Sequence, residues 1–278
     1  MASTSPNVRL NNGVQIPQVG FGTYQIPPEK TREAVLTALE VGYRHIDTAQ
    51  MYGNEREVGE AVRDSGIDRD EVFVTSKLNN GAHARDAALK AFDGTLEALG
   101  FERIDLFLIH WPLPTVGDFT QTWAALEEIY RSGRSRAVGV SNFQPPHLRR
   151  LMESSDLVPA VNQVEVHPYF VQNEVRAYDA EHGIATEPWS PIAQGLVLDD
   201  PVINAVADRL GRTPAQVTLR WHVQRGDIVI PKSVRRARMQ ENLDLFGFEL
   251  SAEDMAAVTA LDRGERTGPD PDTFDWTG

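Results

Sequence analysis

The chain has 278 residues, no cysteine and a formal net charge of −13 from 27 basic and 40 acidic residues. Without cysteine there are no disulfides, thiolate metal sites or cysteine nucleophiles, which suits a reducing cytoplasm. The acidic balance opposes nucleic-acid and anionic-membrane partners, and a hydrophobic fraction of 41% is ordinary for a soluble globular protein, expected here as one domain over residues 1–278.

MASTSPN lacks the charged and apolar regions of a secretory signal and reads as a frayed tail. No apolar run approaches membrane-spanning length. VRLNNGVQIP predicts a hairpin turned by Asn-Gly. VGFGT is a short strand, and PPEKTREAVLTALEVG a helix with Ala34, Ala38 and Val41 on one face. YRHIDTA is a strand. NEREVGEAVRDSG is a helix with Asn54 as its expected N-cap. DEVFVTSKL, ERIDLFLIHWP, SRAVGVSNF, PAVNQVEVHP, IATEPWSP and DIVIPKS are strands. Between and after them, ARDAALKAFDGTLEALG, TQTWAALEEIYRSG, QPPHLRRLMESS, QNEVRAYDAEHG, a pair split at Gly211 to Pro214, and VRRARMQENLDLF read as helices. SAEDMAAVTALD is a last helix capped by Ser251, followed by a Gly/Pro/Asp-rich tail. Strands alternating with helices imply parallel βαβ units. About eight of them over this length favour an α/β fold of the (β/α)8 TIM-barrel kind, with an N-terminal hairpin and a C-terminal tail at the substrate end.

A barrel builds its active site at the C-terminal ends of its strands. Here those ends carry Asp47, Lys77, His110, Ser141, Asn142, Gln163, Glu187, Trp189, Lys232 and Ser233. Tyr52 lies just beyond Asp47, and Gly53 lets the chain turn there. A nearby lysine charge is expected to ease proton release from the Tyr52 phenol, while Asp47 keeps Lys77 charged and His110 bonds a substrate oxygen. Such a set suits protonation of a carbonyl oxygen. Taken singly, Asp47 with Lys77 also reads as a structural ion pair, His110 as a core histidine and Tyr52 as a packed loop aromatic.

GYRHIDTAQMYGNEREVG, SKL, LIHWP, GVSNF, NQVEVHP and IPKSVRRARMQEN, in this order, resemble the successive signatures of the aldo-keto reductases. Within that family the chain most resembles bacterial members of the 2,5-diketo-gluconate reductase kind. The resemblance implies a (β/α)8 barrel that reduces aldehydes and ketones by hydride transfer from NADPH, usually as a monomer. It makes Tyr52 the general acid, in a tetrad with Asp47, Lys77 and His110. It also gives Ser141, Asn142 and Gln163 to the nicotinamide carboxamide and Trp189 to stacking on the ring, although Trp189 also reads as ordinary core.

PKSVRRAR concentrates Lys232, Arg235, Arg236 and Arg238 in an acidic chain, with Ser233 as an expected N-cap. The resemblance assigns Lys232, Ser233 and Arg238 to the 2′-phosphate and Glu241 and Asn242 to the adenine end. Arg236 reads better as a solvated helix face. Gly195 and Leu196 belong to a loop able to cover the pyrophosphate. Tyr24, Asn79, Trp111, Phe274 and Trp276 are expected to shape a pocket for apolar or amphipathic carbonyl compounds; Asn79 stands where many relatives carry Trp. Phe274 and Trp276 equally suit pinning the tail.

Three similar patterns do not hold. GFGTYQ has Gln25 in place of the third glycine of a dinucleotide fingerprint, and Pro27-Pro28 follow, so no helix is expected to open there. GVSNF has Phe143 where a nucleophile elbow needs glycine. His45, His167, His182 and His222 show no metal-binding spacing. Two other activities fit the residues less well: a Schiff-base aldolase on Lys77, and a nicotinamide-binding sensor without turnover.

Overall fold

The structure is a computed structural model, described over residues 5–277. β1 (Asn7–Arg9) pairs antiparallel with β2 (Gln15–Pro17), Val8 opposite Ile16. Gly13 closes the turn by donating to the Leu10 carbonyl, as Asn-Gly predicts. Asn11 and Asn12 donate to the carbonyls of Pro159 and Arg136, at the start of later strands. Leu10 and Ile16 then pack with Phe73, Leu106, Leu108 and Val161. The hairpin thus plugs the N-terminal end of the main sheet with apolar side chains, leaving the opposite end for chemistry. Residues 1–4 of the expected frayed tail lie outside the described residues. Ser5 and Pro6 are not frayed: Ser5 Oγ accepts from Val19 N and the Pro6 carbonyl from Gln18 N.

Seven parallel strands follow in chain order: β3 (Phe21–Gly22), β4 (His45–Asp47), β5 (Phe73–Leu78), β6 (Ile104–Ile109), β7 (Ser135–Ser141), β8 (Val161–Glu165) and β9 (Ala185–Trp189). Strands β5, β6 and β8 are buried along their whole length, as a sheet covered on both faces requires. The expected eighth strand in DIVIPKS is reduced to one parallel bridge, Val19 to Val229. Ile228 N still donates to Thr186 O, Val229 N to Gln18 O and Gly20 N to Val229 O, so this segment joins β9 to the chain entering β3. Pro231 has no N–H to extend the ladder.

The outer layer contains α1 (Pro28–Val41), α2 (Glu55–Asp64), α3 (Arg85–Leu99), α4 (Phe119–Arg131), α5 (Pro145–Glu153), α6 (Asn173–Glu181), α7 (Pro201–Leu210), α8 (Pro214–Gln224), α9 (Arg236–Leu243) and α10 (Ala252–Thr259). Their packing follows the helical repeat: α3 buries Ala88, Phe92, Thr95 and Leu99 against the sheet. Ser251 caps α10 through a reciprocal pair with Asp254, as expected.

Two local expectations change. A helix does open after GFGTYQ, since α1 begins at Pro28 with proline in its first turn, where a missing N–H breaks no helical bond. It is the absent third glycine that separates this loop from a fingerprint. Asn54 precedes α2 without capping it. Its buried amide instead accepts from Thr48 Oγ1 and donates to the carbonyls of Thr23 and Ile26, tying the loops after β3 and β4 together.

Candidate active site

Parallel pairing in register sets the depth of each site residue. Gly22 pairs with Asp47, Asp47 with Thr75, and Lys77 with Leu108, so Asp47, Lys77 and His110 stand at the same end of adjacent strands. After β4 a single helical turn, Gln50–Tyr52, brings Tyr52 back over Lys77. Gly53 ends the turn at φ 66°, a left-handed conformation that suits glycine. Gln50 holds the turn in place: its amide donates to Ala91 O and Thr95 Oγ1 and its carbonyl accepts from Asn79 N.

The Lys77 ammonium is wholly buried and donates to both Asp47 oxygens at 2.7 and 2.8 Å and to Thr48 O at 2.8 Å. Burial opposes this charge, but the attraction of the neighbouring acidic groups, Asp47 foremost by its charge and hydrogen bonds, outweighs it and holds the lysine above its ordinary range. A lysine kept charged in this way is a poor Schiff-base nucleophile. The Tyr52 hydroxyl lies 3.4 Å from Nζ, and Nζ is 5.0 Å from the ring centroid. The expectation that Lys77 leaves Tyr52 more acidic than an ordinary phenol is corrected here. Burial is the larger effect and pushes Tyr52 up to about 12, against the downward pull of Lys77. His110 meets Tyr52 edge to face at 5.8 Å. Burial, then the Lys77 charge, holds its imidazole far below the usual range, so it is neutral and carries one N–H to offer.

Gln163, on β8, has a role the sequence did not reveal. Its amide nitrogen donates both to Asp47 Oδ2 at 2.9 Å and to Glu187 Oε2 at 3.0 Å. Burial, then the Asp47 charge, raises Glu187 above the usual carboxylate range, and its Oε1 faces His45 Nε2 at 3.6 Å. Every residue of β8 is buried, so no alternation of polar and apolar positions marked which side chains enter the barrel.

Around this centre the other expected residues fall into groups. Asn142, at φ 65°, donates to His110 O and accepts from Trp189 Nε1 at 2.8 Å; Ser141 Oγ donates to Gln163 O. These four therefore adjoin the tetrad, with Trp189 only partly buried. Lys232 and Arg238 are exposed, and among the described residues neither has a carboxylate partner within ion-pair distance. Arg236 pairs with Glu40, as its solvated-face reading has it. Ser233 does not cap α9: Arg235 holds that position, and Ser233 Oγ accepts from Arg235 N just ahead of the helix. Glu241 accepts from Thr213 Oγ1 and Asn242 is buried. Gly195 and exposed Leu196 lie in a segment where Ser190, Ala193, Gln194 and Gly195 all have positive φ.

On the substrate side Trp111 packs on Phe274 at 4.3 Å, and Tyr24, 58% exposed, lies 5.1 Å from the Tyr52 ring. Asn79 accepts from Gly81 N and starts the turn Asn80–Ala82. The Trp276 carbonyl accepts from Asn80 Nδ2 at 2.9 Å, so this part of the tail is pinned through its backbone while the indole stays exposed. Among the described residues no group of three or more His, Asp or Glu is placed to hold a metal ion.

The family model described as "Aldo/keto reductase family" matches residues 18–263. An aldo-keto reductase of Mycolicibacterium smegmatis is 51% identical, covering 99% of this chain and all of the relative. Methylglyoxal reductase DkgA of Escherichia coli is 42% identical over 96% of this chain and 97% of its own. Among solved structures, a mutant of Gox0644 in complex with NADPH superimposes with a TM-score of 0.95 at 43% identity, covering 99% of this chain and 100% of that one.

Proposed function

Because the chain belongs to the aldo/keto reductase family, and so reduces aldehydes and ketones with NADPH, we propose that Tyr52, Lys77, Asp47 and His110 carry out that reduction here. The observation that carries this reading is the Lys77 ammonium, buried, bonded to Asp47 and Thr48, and 3.4 Å from the Tyr52 oxygen. NADPH supplies the hydride when bound. Tyr52 is then the proton donor to the carbonyl oxygen as negative charge develops there. Its own high affinity for a proton keeps it loaded before reaction, and the adjacent ammonium stabilises the phenolate left afterwards. Neutral His110 donates its N–H to the same oxygen and orients it. Asp47 holds Lys77 charged and aimed, and Gln163 holds Asp47.

Trp189 is the stacking platform for the nicotinamide, beside Ser141, Asn142 and Gln163. The Gln163 amide nitrogen is occupied, which leaves its carbonyl oxygen for the carboxamide. Lys232 and Arg238 suit a 2′-phosphate because they are exposed and lack carboxylate partners among the described residues. Ser233, Glu241 and Asn242 belong to the same stretch of chain as these two cations and are read with them as the 2′-phosphate and adenine site, and the Gly195–Leu196 segment closes over the pyrophosphate. Tyr24, Trp111 and Phe274, with Asn79 and Trp276 at the rim, favour apolar or amphipathic carbonyl substrates. On this reading the protein works as a cytoplasmic monomer, and its net charge of −13 supports the absence of nucleic-acid and anionic-membrane partners.

The test is NADPH oxidation over a panel of aldehydes and ketones, with wild type beside Tyr52→Phe. Turnover in the mutant is expected to fall by about two to four orders of magnitude while NADPH binding persists. Equal turnover in both removes Tyr52 from its role.

A further inference from the structure

Glu165 ends β8 and stands opposite Trp189, the last residue of β9, in the parallel register. Its carboxylate is 1% exposed and belongs to no part of the tetrad. Four donors from beyond its own strand converge on it. Thr267 gives its backbone N–H at 2.5 Å and its hydroxyl at 2.6 Å to Oε1, and Gly268 gives its N–H at 3.2 Å to Oε2. His167 Nε2 lies 3.1 Å from Oε1. So many charge-assisted bonds on one buried carboxylate make a strong clamp on the tail.

The clamped bend lies directly on Trp189. A Cβ built on Gly268 would stand 2.3 Å from the Trp189 ring carbon Cη2 and 3.1 Å from Cζ3. Only glycine allows the backbone to rest this close to the indole. At its other end the indole is held by Nε1–H donating to Asn142 Oδ1. Trp189 is therefore trapped between a hydrogen bond at one end and the tail backbone at the other. Remote from the clamp, the same tail covers Trp111 through Phe274.

We propose that Glu165 is a positioning residue for the reduction: by seating Thr267 and Gly268 against Trp189 it sets the plane on which the nicotinamide stacks. This rests on the reading of Trp189 as that platform. The clamp acts on the cofactor's seat before any carbonyl compound enters, so its loss weakens NADPH binding and lowers kcat. Substrate KM moves less.

Glu165→Gln replaces one acceptor by an NH2 group that faces donors. Gly268→Ala keeps the Glu165 side chain and pushes mainly on the indole, its Cβ lying 2.3 Å from Trp189 Cη2 and 3.3 Å from Glu165 Oε2, so it serves even where Glu165→Gln folds poorly. Trp189→Ala is measured beside them. NADPH affinity is read by quenching of tryptophan fluorescence, kcat and KM by NADPH oxidation, and hydrogen exchange at the Thr267 and Gly268 amides reports the clamp. The expected result is NADPH affinity lowered on the order of tenfold in both tail variants, in the same direction as Trp189→Ala, with exchange accelerated in Glu165→Gln. If Trp189→Ala weakens NADPH while both tail variants bind it normally, the clamp proposal is overturned and the platform reading stands. If Trp189→Ala binds NADPH like wild type, both fall together.

Discussion

Removing the Lys77 charge alone and removing it together with Asp47 should differ in their effect on stability and agree in their effect on activity. In Lys77→Met, Asp47 loses two bonds from Nζ and stays 2% exposed, with Gln163 as its remaining described hydrogen-bond donor. An unpaired buried carboxylate costs about 3–5 kcal/mol. In Asp47→Asn/Lys77→Met both charges are gone, and a neutral buried pair of similar volume is tolerated far better. The double variant should therefore be more stable than Lys77→Met by about 2 kcal/mol, measured as urea unfolding at pH 7. Both should lose carbonyl reduction by about two to four orders of magnitude, because the phenolate left on Tyr52 has no cation beside it. Additive destabilisation in the double variant would refute the buried pairing. Recovery of turnover in the double variant would show that the charge of Lys77 does not assist Tyr52.

Two further outcomes follow from side chains away from the tetrad. Burial pushes Asp179, wholly buried on α6, up to about 7, although Asn162 and Thr186 donate to it. The folded chain holds a proton there that the unfolded chain releases near pH 4, so stability falls as pH rises from about 4 through 7, by at most about 4 kcal/mol. Asp179→Asn should abolish that loss, raising the urea midpoint over wild type at pH 8 but not at pH 4; parallel pH profiles would mean that Asp179 is charged throughout. Arg238→Glu should lower the preference for NADPH over NADH on the order of tenfold or more in kcat/KM. An unchanged ratio would place the 2′-phosphate elsewhere.

What was legible in the sequence was mostly local. Alternation of apolar runs with helical spacing marked the barrel strands and their helices because each buries a face whose period is visible in the chain. The ends of those strands exposed Asp47, Lys77 and His110 as one set because parallel register converts similar positions into one depth. The eighth strand is shorter than its composition suggests: DIVIP reads as a strand, but ladder length depends on neighbours, and Pro231 stops it. Asn54 and Ser233 precede α2 and α9 as caps do, yet tertiary partners and the true helix start decided their bonds. The direction of the Tyr52 shift was not legible either. Proximity to Lys77 is implied by the barrel, whereas the extent of desolvation is set by side chains from several strands at once. Glu165 was invisible for the same reason, since its partners lie 102 and 103 residues away.

The barrel interior divides along its axis, and this division explains how it tolerates charge. Toward the hairpin it is filled by Ile16, Phe73, Leu106, Leu108 and Val161, the apolar layers that hold such barrels together. Toward the opposite mouth the strands supply Asp47, Lys77, Gln163 and Glu187, with His45 beneath them beside Phe73, every one of the five buried. Five polar side chains can share one low-dielectric space only if their charges cancel. Burial holds His45 down to about 3 and therefore neutral. Burial and the neighbouring Asp47 keep the proton on Glu187. That leaves one ammonium and one carboxylate in direct contact, 2.7 Å apart. Glu187 and His45 thus serve the site by staying uncharged. An ionised Glu187 would compete with Asp47 for Lys77 and add negative charge below Tyr52, opposing the phenolate that proton transfer creates. The neutrality of these two groups is as much a part of the chemistry as the charge of Lys77.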